Sequence, residues 1–244
     1  MIKKFCILFF FISSNITIFG QGFDWQSSKR TPFEVPKFYV GIDGSYSIYN
    51  QNTDLDFFID KTYCCNFEEG KGSGYDLALS GEYWIEGDIA IFGSLGYSAN
   101  VFNFSNNSSV PSKNQIINNE YIYEVNLSSF SFEIGGKYRL PFWMMNVGGS
   151  LRAGIPLGVD KIYSQVISSG GSSAEYDLSG GKTADFNDIL YSVSFNISRD
   201  IDFAMPIYAQ PYISFRSSIG SDVDSGKWNS FGVQLGVKVF YGLY

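Results

Sequence analysis

Apolar and polar residues alternate along this chain with a period of two, most plainly at its carboxyl end. Phe231, Val233, Leu235, Val237, Val239, Tyr241 and Leu243 interleave with Gly232, Gln234, Gly236, Lys238, Phe240 and Gly242. In a strand this spacing puts the first set on one face and the second on the other. Strands of soluble proteins average about five or six residues. A strand that crosses a bilayer takes about 9–11, with its apolar face toward lipid. Seven earlier segments repeat the pattern, so the sequence predicts strands over Phe38–Tyr49, Gly74–Ile85, Asp88–Phe102, Tyr121–Leu140, Trp143–Leu157, Phe186–Ser198, Ile207–Ile219 and Trp228–Tyr244. The fourth changes phase. Its apolar residues are odd-numbered at Tyr121, Tyr123, Val125 and Leu127, then even-numbered at Phe130, Phe132, Ile134 and Tyr138. A slip of one residue near Ser128 and Ser129 is what a β-bulge produces.

The links between these segments alternate in length. Residues 86–87, 140–142 and 199–206 are short; residues 50–73, 103–120, 158–185 and 220–227 are longer and rich in Asn, Ser, Gly, Asp and Lys. Tight turns on one side and long loops on the other suit an even-stranded barrel with both ends in the periplasm. A soluble lipocalin-like barrel turns its apolar residues inward and shows no such asymmetry. The expected fold is all-β: a transmembrane antiparallel up-and-down β-barrel of eight strands over residues 37–244, integral to the bacterial outer membrane.

The amino end fits that destination. Lys3 and Lys4 precede the apolar run Phe5–Ile12, and Gln21 follows Ile18-Phe19-Gly20, so residues 1–20 read as a secretory signal peptide. Residues 21–36 then form a periplasmic segment. Losing Lys3 and Lys4 leaves 15 basic residues of the 17 against 24 acidic ones, a net charge of −9. An acidic balance excludes nucleic acid as a partner, because phosphate binding rests on Lys and Arg. No later stretch reaches eighteen consecutive apolar residues, which excludes helical spans. Aromatics at 18% and 26 glycines suit strands, turns and crowded barrel interiors.

Eight strands leave room inside only for side chains. The inward face offers Asp43, Asp76, Glu82 and Glu133 against Lys137, Arg139, Arg152, Arg216 and Lys238. Opposite charges in a narrow lumen should pair, since an isolated buried charge is costly. The expectation is an ion-paired core that holds the barrel shut; a gated ion path is the alternative. Aromatics near the strand ends suggest two interfacial girdles. Phe38, Tyr83, Trp84, Tyr138, Phe142, Trp143, Tyr241 and Tyr244 would form one, and Tyr46, Tyr49, Tyr75, Phe102, Tyr121, Tyr123, Trp228 and Phe231 the other.

Catalytic chemistry has little to build on. The chain contains no histidine, which removes the usual base for an activated serine and the commonest transition-metal ligand. The acidic residues are scattered, and no spacing selects a pair for acid–base work. Asn52–Asp56 lacks the length and glycine pattern of an EF-hand loop and reads as solvated. Cys64 and Cys65, adjacent in the first outer loop, are candidates for a vicinal disulfide or a bridge to a partner. That loop holds too few ligands for zinc. No cofactor, metal or catalytic residue is expected.

Cys64-Cys65-Asn66-Phe67, followed by Gly70, Gly72, Gly74 and the strand Leu77–Tyr83, resembles the outer-membrane β-barrel domain family of the OmpA/OmpX-like superfamily. The terminal Gly236–Tyr241 is similar too. The resemblance covers residues 37–244. It implies recognition by the barrel-assembly machinery through the terminal aromatic strand. Tyr244 is in phase with the inward Lys238 and Gly242, so Tyr241 and Leu243 are expected to carry that signal along with Tyr244. The function expected is a non-enzymatic barrel with a structural or surface-interaction role through its outer loops. Its partners would be outer-membrane lipid, the assembly machinery and other envelope proteins. A component of a secretion apparatus, as some relatives are, and a narrow transport pore are the alternatives.

Overall fold

The computed structural model describes residues 36–59, 62–112, 115–141, 145–169, 172–178, 181–204 and 206–243. The expected signal peptide, almost all of the segment 21–36, and Phe142, Trp143 and Tyr244 lie outside them. Eight strands form a closed ring: β1 (Phe38–Ile59), β2 (Thr62–Glu86), β3 (Ile89–Ser112), β4 (Gln115–Arg139), β5 (Met145–Ser169), β6 (Leu190–Arg199), β7 (Ile207–Ser218) and β8 (Lys227–Leu243). Each pairs antiparallel with its neighbours in sequence, and β8 closes on β1 from Phe38↔Leu243 to Asp54↔Lys227. Three short strands, Ser172–Asp177, Gly181–Lys182 and Ile201–Ala204, add to β5, β1 and β7.

The outward face is the apolar one. Ile42, Leu77, Leu79, Leu95, Phe132, Leu151, Val193, Phe195, Val237 and Val239 are all exposed around the ring. Hydrophobic side chains are not left facing water on this scale in a soluble monomer; a belt that circles a closed barrel is a surface made for lipid. Phe38, Tyr83, Tyr138 and Tyr241 edge the belt at one end, and Tyr46, Tyr75 and Phe231 at the other.

Two expectations are corrected. The first concerns strand length. Residues 50–73 and 103–120 are not loops: β1 to β5 have 22 to 25 residues each. They run beyond the bilayer by roughly a dozen residues, on the order of 40 Å at the usual rise per residue. Above the belt the two faces exchange character. Leu55, Phe57, Phe67, Phe104, Tyr123, Val125 and Tyr163 point inward and are buried, while Asp54, Asp56 and Glu68 point out into water. A search for apolar residues facing lipid stops where that exchange occurs.

The second concerns the bulge. The register does shift at Ser128/Ser129, but the partners there are Gly158 and Pro156, so the extra residue is Leu157 of β5. β4 keeps its parity throughout. Leu127, Ser129 and Ser131 are all buried, and Phe130 and Phe132 exposed. The apolar residues of β4 change phase because the lumen changes from polar to apolar, not because the strand turns over. In β5, by contrast, Arg152 and Gly154 point inward before the bulge, and Val159 and Tyr163 after it.

Candidate functional site

Inside the lipid-facing belt, inward positions bring together all nine charged residues singled out from the sequence. Lys137 on β4 reaches across β3 to Glu82 on β2 at 2.5 Å. Asp43 and Lys238 face each other across the β1–β8 seam, 3.8 Å apart. At mid-lumen Asp76 takes Arg152 at 2.7 Å and Arg216 at 3.6 Å, and Arg216 also meets Glu133 at 3.7 Å. Strands β2, β4, β5 and β7 are thereby tied across the interior.

Arg139 does not join these pairs. It bonds Asp200 at 2.5 Å, and Asp200 also accepts from Asn146 and Gln210. Asp200 is the residue missed in the sequence. It follows Ser192, Ser194, Asn196 and Ser198 in phase along β6, so extending the alternation by one step would have found it. With Asp200 included, five carboxylates meet five cations inside the belt among the described residues, and each of the five has a partner.

Neutral groups complete the network. Tyr208 donates to Glu82 and Tyr212 to Asp43; Ser150 donates to Glu133 and Gln234 to Asp76. A side chain at Gly236 would collide with the Tyr212 ring, so glycine there makes room for Tyr212 to reach Asp43. At the periplasmic end Lys137 and Arg139 lie over the Trp84 ring, 5.0 and 4.2 Å from its centroid. Trp84 is therefore an interior residue and not part of a girdle. The cavity left among Asp43, Asp76, Glu133, Arg152, Arg216 and Lys238 measures about 30 Å³, room for one or two waters.

Above the ion pairs the lumen is closed by rings. Tyr123 stacks on Tyr163 with centroids 4.8 Å apart, Phe57 stacks on Tyr163, and Phe104 stacks on Tyr123. Trp228 packs edge-on against Phe102 and Phe104, and its Nε1 donates to Gln51. Tyr49, Phe102, Tyr123 and Trp228, expected in the outer girdle, are buried in this cap, and Tyr121 packs against it. The segment 183–190 closes the side where β6 and β7 are short. Ala184, Phe186 and Leu190 pack on the rings, and Lys161 bonds Ala184 O and Asp185. Beneath Phe186, Asp222 is held by burial well above the ordinary carboxylate range, to about 7, although Ser230 donates to it.

Cys64 and Cys65 are both free thiols, so the expected disulfide is not formed in this structure. Burial and the neighbouring Cys64 thiol push Cys65 up to about 12. Tyr241 and Leu243, expected in the assembly signal, are exposed on the lipid-facing side of β8. Asp54 and Asp56 are engaged by Asn66 Nδ2.

No protein-family model matches the sequence, and no curated protein matches it. Among solved structures the chain is similar to Ail, the attachment invasion locus protein of Yersinia pestis, at 12% identity over 85% of this chain and 100% of that one, TM-score 0.31. It is similar to the outer membrane protease OmpT of Escherichia coli at 12% identity over 88% and 100%, TM-score 0.33. The outer membrane protein AlkL, in lipid bilayers, matches at 10% identity over 88% and 95%, TM-score 0.38. Likeness at this level assigns no role, and the barrel rests on the strand pairing described above.

Proposed function

We propose that this chain is a small, non-enzymatic outer-membrane barrel that does not conduct and serves a structural or surface-interaction role through the five long strands it holds outside the cell. The observation that supports this reading is the lumen: ten charged groups of both signs, tied across the interior, with only a cavity of about 30 Å³ among six of them and one of about 90 Å³ between Arg152, Arg216 and the aromatic cap. Sixteen- to eighteen-stranded porins leave an aqueous channel, whereas eight strands leave an interior that side chains fill. The chain has no histidine, and its inward carboxylates are held by cations and hydroxyls rather than left as a pair for acid–base work. The test is conductance in planar bilayers. The wild-type protein should give at most small, rare openings. Arg216→Ala, which removes the cation between Asp76 and Glu133, should raise their frequency. Steady wild-type conductance of porin size would overturn the reading.

A further inference from the structure

The two cysteines occupy an unusual place in the sheet. Phe57 pairs with Cys65 and Phe58 with Tyr63, so Cys64 is an extra residue, the bulge of β2. Neighbouring side chains of a regular strand point to opposite faces. Here Tyr63 is exposed on the outer face and Phe67 is buried on the inner one. Alternation from Tyr63 turns Cys64 inward, and alternation from Phe67 turns Cys65 inward. Both thiols pack against the aromatic cap. Tyr121 packs on the same cap beside them. Neither is fully buried, so a small ion reaches them from outside.

We propose that Cys64 and Cys65 form a two-sulfur site for a soft monovalent d10 cation such as Cu(I). Thiolate sulfur selects soft cations, and two donors satisfy a linear d10 ion. Zn²⁺ asks for four ligands, and no group of three or more Cys, Asp or Glu side chains is placed to hold a metal among the described residues. The binding step is balanced: Cu⁺ displaces one proton from each thiol, forming two Cu–S bonds and releasing two H⁺, with no change of oxidation state. The rings of the cap exclude water from one side of the site, as the apolar shell of a metal centre does.

The test is an anaerobic titration of the full-length reduced protein in detergent with Cu(I), against a chromophoric Cu(I) chelator. The expected result is one equivalent bound, two protons released and a sulfur-to-metal charge-transfer band. Cys64→Ser and Cys65→Ser should each abolish all three signals. Zn²⁺ should not compete. Heat-modifiable gel mobility checks that each variant still forms the barrel; if both Cys→Ser variants fail to form it, alkylation of the wild-type thiols takes their place and should abolish binding. Binding that survives in either Cys→Ser variant would overturn the proposal. So would absence of stoichiometric binding, or a thiol assay on unreduced protein from cells showing the pair oxidised.

Discussion

Asp200, one residue past the end of β6, holds the guanidinium of Arg139 from β4 at 2.5 Å with the whole of β5 between their strands. Removing one partner of a buried pair leaves the other charge uncompensated, which costs more than the pair contributes. Asp200→Asn should therefore lower stability by about 3 kcal/mol. Urea unfolding in lipid vesicles, followed by tryptophan fluorescence, measures it. A double Asp200→Asn, Arg139→Met variant, which removes both charges and keeps a side-chain oxygen for Asn146 and Gln210, should recover most of the loss, and no recovery would show that the charges themselves are needed.

The inside–outside register has its own test. Val193 and Leu151 are exposed on the lipid side, whereas Ser194 is buried in the lumen against Ser150. Val193→Lys or Leu151→Lys should cost about 2–4 kcal/mol near the bilayer midplane. Ser192→Lys, pointing into the lumen, should cost less. Equal penalties in the same refolding titrations would show the assignment of faces to be wrong.

Deleting Leu157 removes the bulge of β5. Pro156 and Gly158 would then follow each other opposite Ser129 and Ser128 in unbroken alternation, so Val159 and Tyr163 stay inward and the stack of Tyr163 on Tyr123 and Phe57 is kept. The expected outcome is an inserted barrel with unchanged near-ultraviolet circular dichroism. Loss of the aromatic signal would show that the bulge itself is needed to hold the cap in register.

The contact between residues 185–187 and 221–224 should depend on pH. Asn187 N donates to Asp222 O, and Phe186 pairs with Val223. Burial raises Asp222 from 3.8 to about 7. Below pH 4 its carboxyl is neutral whether the contact is closed or open, and its contribution is intact. Between pH 4 and 7 only the open form ionises freely, so the closed form loses stability as pH rises, with no further change above 7. Hydrogen-exchange protection of Phe186 and Asn187 should fall over that window and become flat in Asp222→Asn. A fall that persists in the variant would assign it to another group.

The sequence made the barrel legible where one rule held. Outward residues within the bilayer must be apolar, and a period of two cannot be mistaken over eight segments. It was less legible above the bilayer, where Phe57, Phe67, Phe104 and Tyr163 face inward and Asp54 and Glu68 outward. A reader looking for lipid-facing alternation sees a polar loop there. The same exchange made Tyr49, Phe102, Tyr123 and Trp228 look interfacial. The nine inward charges were legible because parity alone gives their face; Asp200 was missed because residues 199–206 read as a short link, although the alternation runs on through it. The bulge at Cys64 leaves no trace in a sequence whose adjacent cysteines already look like a redox pair.

The ties across the lumen also decide when this protein can enter a membrane. Asp76 and Arg216 are 140 positions apart in the chain, and Asp43 finds Lys238 only when the first strand meets the last. Until that seam zips, every partly assembled sheet carries bare charges on the face that will become its interior. Lipid rejects such a sheet, so half-built forms stay at the membrane edge. Closure pairs the last of them, Asp43 with Lys238, and ties insertion to completion of the ring.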